Sequence, residues 1–249
     1  MNKLSVGIVG IPIHLEKNHG ILKESFFFGL TNHLRSNTEK YIKQKAKEEK
    51  IQLEVRDLGE LVDTNSNLQK NNNIIGISKI SLDGLSRGLK KKIESVDFLI
   101  VYGDAHTGAY LLYHLPGGVE RFDIHDDDNE VEIPFHTSYM RFATEIKPIS
   151  QVSNHGWDDL LDGILESNSS KDFQSSVFDV DIDYFTSTEY CKLTKEKIEE
   201  QIQKIKSTIR RAKPKVIGFF EYQTLDGSLE GQQRLLDIVW EGVKANCNL

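Results

Sequence analysis

The chain has 249 residues, 38% of them hydrophobic and 28% charged, with a net charge of −7. This is enough chain for one large α/β domain or two small ones, and the balance is that of an ordinary globular protein. The acidic excess excludes a general nucleic-acid binder, which needs a basic face, and no apolar run reaches the ~20 residues of a membrane span.

In chain order, "MNKLSVGIVGIPIHL" opens with an apolar stretch interrupted by glycine and proline and without a small-residue cleavage site. It reads as a first strand over Leu4 to Ile11, not a signal peptide. Helical spacing follows over Leu22 to Leu34 and Glu39 to Glu49, then a strand over Gln52 to Leu58. "DTNSNLQKNNN", residues 63 to 73, is polar and reads as a surface loop. A helix over Asp83 to Ile93 leads to a strand over Val96 to Tyr102 and a helical stretch after His106. Next come a strand over Val119 to Ile124, a helix over Ser138 to Glu145, a strand over Ile149 to Asn154 and a helix over Trp157 to Leu165. The last four elements are a strand over Val177 to Asp181, a helix over Thr194 to Arg211 with Thr194 as its N-cap, a strand over Val216 to Tyr222, and a helix over Gly231 to Lys244. Such alternation predicts an α/β fold, a mostly parallel sheet covered by helices on both sides. No Pro/Gly-rich linker divides the chain, so residues 1–249 read as one domain. Cys191 and Cys247 lie far apart without metal spacing, which fits a reduced, cytoplasmic setting.

Parallel α/β sheets bind ligands beyond the carboxyl ends of their strands. In this chain the unusual polar residues gather there. "DFLIVY" runs into "GDAHTG", "GVERF" into "DIHDDDNE", "PISQVS" into "NHGWDD", "SVF" into "DVDID", and "KVIGFF" into "EYQTLDG". Asp123, His125 and Asp127 form D-x-H-x-D, and alternation turns all three to one side of the chain. Asp179 and Asp181 form D-x-D, with Asp183 two residues on, and His106 adds an imidazole. Alone, "HDDDNE" is more often a solvated turn, "DVDID" as readily an edge strand with one wet face, and His106 an ordinary hydrogen-bonded histidine. Their conjunction at one edge is the stronger signal. Burying one unpaired carboxylate costs roughly several kcal/mol, and neighbouring ones repel, so a bound cation would neutralise them. Oxygen-rich donors with some imidazole suit two adjacent ions, Mn²⁺ best.

Together these segments resemble the ureohydrolase (arginase/agmatinase) family. "VGIVGIPI" resembles its opening strand, "YGDAHTG" its G-G-D-H-S segment, "FDIHDD" its D-A-H-x-D segment and "FDVDID" its S-x-D-x-D strand. "GFFEY" resembles its late glutamate-bearing strand, and "FHTSYMRFATE" an agmatinase segment. The resemblance implies a three-layer α/β/α fold with a mostly parallel, roughly eight-stranded sheet, and a dinuclear Mn²⁺ centre. His106, Asp123, Asp127 and Asp179 would surround one ion, and Asp123, His125, Asp179 and Asp181 the other, with Asp123 and Asp179 shared. It also implies that Asn129 touches substrate, that His136 moves protons at the mouth of the site, and that Glu221 pairs with a substrate guanidinium. Asp127 would relay a proton to the leaving amine. After Asp181 the family pattern runs to D-P, whereas this chain has Ile182-Asp183-Tyr184-Phe185, so Asp183 receives no role.

The activity implied is hydrolysis of a guanidino or amidino compound to urea and an amine, by a homo-oligomer acting on a small molecule. His155 would line the substrate pocket, although a loop histidine is an equal reading; the same holds for Trp157, and His14, Lys17 and His19 lie at the same edge. His33 and His114 read as structural. Two other readings stand beside this one: a single-Zn²⁺ amide deacetylase of the related fold, and a non-catalytic, metal-stabilised descendant of the family.

Overall fold

Seven apolar runs become strands in the computed structural model, which describes residues 3–11, 24–61, 79–103, 106–124, 139–156, 175–187, 192–221 and 229–247. They are β1 (Leu4–Ile11), β2 (Leu53–Glu60), β3 (Phe98–Gly103), β4 (Gly118–Phe122), β5 (Val152–Asn154), β6 (Ser175–Asp181) and β7 (Val216–Phe220). All pairings are parallel, in the order β2-β1-β3-β7-β6-β4-β5. Every residue of β3, β4 and β7 is buried, as both faces are covered in a parallel sheet flanked by helices. β2, at one edge, alternates half-buried and exposed residues over Leu53 to Arg56. The count among described residues equals the seven strands read from the sequence and is one below the eight that the resemblance implies.

One face packs against α1 (Glu24–Glu48), α5 (Lys195–Ala212) and α6 (Leu229–Asn246), with Phe98, Phe122, Phe178 and Ile217 meeting Ile42, Ile202, Ile205 and Val239. The other carries α2 (Lys79–Glu94), α3 (His106–Ala109) and α4 (Tyr139–Ile146), where Val101, Val119 and Val177 share a cluster with Leu89, Ala109 and Met140. The three-layer architecture follows. In α5 the buried Ile198, Ile202, Ile205 and Ile209 recur at helical spacing, and Thr194 caps the start by accepting from Lys197 N at 3.2 Å. No helix of the described residues is long and apolar enough to cross a membrane.

Two expectations change. The two helices read over Leu22 to Leu34 and Glu39 to Glu49 are one, α1. Ser36, Asn37 and Thr38 looked like a break. Within the helix, however, Asn37 bonds His33 four residues back, and buried Thr38 shares a 2.6 Å hydrogen bond with Tyr102, so tertiary partners override weak local propensity. The strand read from Ile149 begins as a 3₁₀ turn, Ile149–Gln151, leaving three residues for β5. The helix read over Trp157 to Leu165 lies outside the described residues.

The sheet order has a functional consequence. β3, β7, β6 and β4 are consecutive neighbours, so the carboxyl ends that carry His106, Glu221, Asp181 and Asp123 are side by side. Close approach makes this possible. A Cβ on Gly103 would lie 2.3 Å from Phe220, so glycine there lets the Phe220 ring lie against the end of β3.

Candidate metal centre

Register and alternation build the centre. Arg121 pairs with Asp179 and Phe122 with Val180 between β4 and β6. Val119 and Val177 belong to the α2–α4 face, so Arg121, Asp123, Asp179 and Asp181 are turned to that face as well. Asp123, Asp181 and Asp183 each offer a carboxylate oxygen, and these oxygens lie within 4.8 Å of one another. The three residues are 1%, 1% and 4% exposed, which rules out the wet-edge reading of "DVDID".

Asp183 reaches the cluster by a turn and not by strand alternation. β6 stops at Asp181, and Ile182–Tyr184 form a 3₁₀ turn. Asp181 Oδ1 accepts from Asp183 N at 3.1 Å, a local bond of the kind aspartate makes two residues on. The sequence left Asp183 without a role; here it is one of the three carboxylates that converge.

Two further residues were not singled out from sequence. Arg121 is fully buried, and its Nη2 donates to Asp123 Oδ2 at 2.5 Å, with Nη1 3.4 Å from Asn154 Oδ1. Tyr113, buried in the 3₁₀ turn Tyr110–His114, donates its hydroxyl to Asp179 Oδ2 at 3.0 Å. Burial, and then the charge of Asp179, push the Tyr113 phenol well above its usual pKa, so it stays protonated and donates. The available sequence signal was the charged pair Glu120-Arg121 inside the apolar run "GVERF".

Glu120 points to the opposite face. Its Oε2 lies 2.5 Å from His155 Nε2, and its Oε1 3.6 Å from Arg211. The His155 ring stacks on Phe122, with centroids 4.4 Å apart. His155 therefore packs on the α5 side of the sheet, across from Asp123. Glu221 directly follows β7, is half-buried and has φ 57°. That left-handed conformation is uncommon for a non-glycine residue and clusters at functional sites. His106 opens α3 at the same edge, directly behind the β3 end. Its side chain, and the whole of His125, Asp127, Asn129 and His136, lie outside the described residues, as do Trp157, His14, Lys17 and His19. His33 bonds Asn37, and His114 packs edge-on against Tyr110, in keeping with structural roles.

Chemically, three converging buried carboxylates make a hard, oxygen-rich donor set that fits a divalent cation such as Mn²⁺.

No protein-family model matches the sequence, and no curated protein does. Solved structures do. An arginase from Bacillus caldovelox superposes with a TM-score of 0.60 at 12% identity, covering 96% of this chain and 97% of that one. An agmatine ureohydrolase of Thermoplasma volcanium gives 0.60 at 10%, covering 97% and 89%. A formimidoylglutamase from Bacillus subtilis gives 0.59 at 11%, covering 98% and 88%. The chain therefore has the arginase-like fold over nearly its whole length, in keeping with the resemblance read from its motifs.

Proposed function

We propose that the chain is a metal-dependent hydrolase of a linear guanidino or amidino compound, releasing urea and an amine, with Mn²⁺ as the resident metal. The observation that carries this reading is the buried Asp123–Asp181–Asp183 cluster at the strand ends of an arginase-like sheet. Asp123, Asp179 and Asp181, with His106, His125 and Asp127, would hold the metal, and the resemblance implies two ions; Asp183 joins this set by proximity. When bound, divalent ions would supply Lewis-acid activation of water and charge stabilisation. The chain's own groups would do the rest. Glu221 would hold the cationic substrate in line by ion pairing, and Asn129 would contact it. Asp127 would pass a proton to the leaving amine, and His136 would exchange protons with solvent. Tyr113 would fix the orientation of Asp179. We leave His155 out of the substrate set, because Glu120 and Phe122 already engage its ring. A cytoplasmic homo-oligomer acting on a small guanidino molecule, with no nucleic-acid or membrane partner, remains our expectation.

The test is to load the protein with Mn²⁺ and assay agmatine, arginine, guanidinobutyrate and formimidoglutamate. Urea from one of the first three, or formamide from the last, is expected. One observation favours a second reading. The buried Arg121 guanidinium on Asp123 Oδ2 places a fixed positive charge beside the cluster, a feature that a single-ion amide hydrolase of the deacetylase kind would accommodate. Acetate release from an acetylated amine, without urea or formamide, would select that reading.

A further inference from the structure

We propose that a groove at the amino edge of the sheet binds a small organic dianion, a phosphate ester or a dicarboxylate, through Lys90, Lys147 and Lys215. This edge is the one away from the acidic cluster: Lys215 directly precedes β7 and Lys147 directly follows α4. The site is independent of the activity proposed above.

Two observations carry it. The first is where positive charge gathers. A cavity of about 600 Å³ opens between the end of α2, the residues 115–117 and the start of β7. Its charged lining is Lys90, Lys147 and Lys215 against Glu94 alone. The chain as a whole carries −7, so three ammonium groups around one cavity run counter to its overall charge. None of the three forms an ion pair among the described residues. A concave surface lined by one sign of charge concentrates the opposite ion. Ile93 and Ile146 add apolar wall, which suits the carbon part of an organic anion, and the volume is that of an ordinary small-molecule site.

The second observation is the hydrogen-bond count at Lys147, which is only 5% exposed. An ammonium has three donors. Two are taken, by Leu115 O at 2.8 Å and by Gly117 O. The third has no partner among the described residues, and Lys147 lines the cavity. A buried cation answered only by neutral carbonyls is costly, and an anion oxygen in the cavity would take the third proton and offset the charge. Burial holds the Lys147 ammonium below its usual pKa, and a bound anion would raise it again. A bland reading makes Lys147 a clasp on the turn after Tyr110–His114, and Lys90 and Lys215 solvated surface charges. That reading predicts no anion.

The experiment titrates the full chain by calorimetry, at constant ionic strength, with glycerol phosphate, with succinate and with acetate as a monoanion control. It is run on chelator-treated and on Mn²⁺-loaded protein. Wild type should bind one of the dianions with a dissociation constant below about 10 mM, and acetate more weakly. Preference for glycerol phosphate assigns a phosphate ester, and preference for succinate a dicarboxylate. The affinity should be the same with and without Mn²⁺ and should fall as salt is raised. Lys90→Ala combined with Lys215→Ala, both at exposed positions, should weaken binding about tenfold or more. Lys147→Met should weaken it at least as much; if it does not fold, the exposed pair still decides. No binding of either dianion, or binding unchanged in the double variant, would overturn the proposal and leave the metal reading untouched. Binding that requires Mn²⁺ would place the anion on the metal centre and overturn it as well.

Discussion

Glu221 holds a backbone conformation that costs an L-residue roughly 1–2 kcal/mol, at the carboxyl end of a strand next to the acidic cluster. Glycine would relieve that cost and add unfolded-chain entropy worth about 0.5–1 kcal/mol, so the two changes nearly offset. Glu221→Gly should therefore melt within a few degrees of wild type while turnover falls roughly 30-fold or more, as for loss of a charge pair to substrate. Glu221→Gln should lose turnover alike, and full turnover in either would remove Glu221 from the site. Asp183 makes the opposite kind of prediction. It adds a buried carboxylate to Asp123 and Asp181, so Asp183→Asn should raise the metal-free stability by about 1–3 kcal/mol and shrink the Mn²⁺-induced rise in melting temperature. Melts with and without Mn²⁺ check both signs, and an unchanged Mn²⁺ shift would exclude Asp183 as a ligand. Asp123, Asp179 and Asp181 were legible because carboxylates at period two in an apolar strand are conspicuous. Arg121 and Tyr113 were not, because their meaning depends on partners brought together only by β4–β6 pairing and by the turn after α3.

The elements that aim these residues depend on small clearances. Gly103 ends β3 with a Cβ position 2.3 Å from Phe220, and Gly108 of α3 has its own 3.1 Å from the same ring. Gly103→Ala should cost about 1–3 kcal/mol by overpacking. Because Phe220 also touches α3, the variant should weaken Mn²⁺ binding; calorimetry showing unchanged affinity would uncouple α3 from the centre. Between α5 and α6, Glu241 is buried, which raises its carboxyl, but Arg210 at 2.8 Å and Lys244 at 3.3 Å hold it below the ordinary carboxylate range overall. A lowered carboxyl contributes stability above its unfolded pKa of about 4.3 and loses it as pH falls through the lower folded value. Glu241→Gln should thus cost about 0.5–1 kcal/mol at neutral pH and nothing at the acid end, with the two stability curves converging as pH falls. A constant gap at all pH values would mean that packing, not the ion pair, sets the effect. Most elements were legible because apolar runs and helical periods alternate cleanly. The continuous α1 was not, since the bond from Thr38 to Tyr102 spans 64 residues of sequence and no local pattern announces it.

At the scale of the molecule, alternation of strands and helices predicted the parallel sheet and its two helical layers. Strand order could not be read, because many crossover patterns satisfy the same alternation. Order is nonetheless what makes a site, by setting β3, β7, β6 and β4 side by side so that residues far apart in sequence share one edge. The proposed role of this edge is to hold metal and hydrolyse a guanidino or amidino group. It is tested most directly by product release from protein whose bound Mn²⁺ has been verified, assayed against agmatine, arginine, guanidinobutyrate and formimidoglutamate. Urea or formamide is expected from at least one of them, abolished by a chelator and by Asp181→Asn. Neither product from any of them, with Mn²⁺ demonstrably bound, would contradict it.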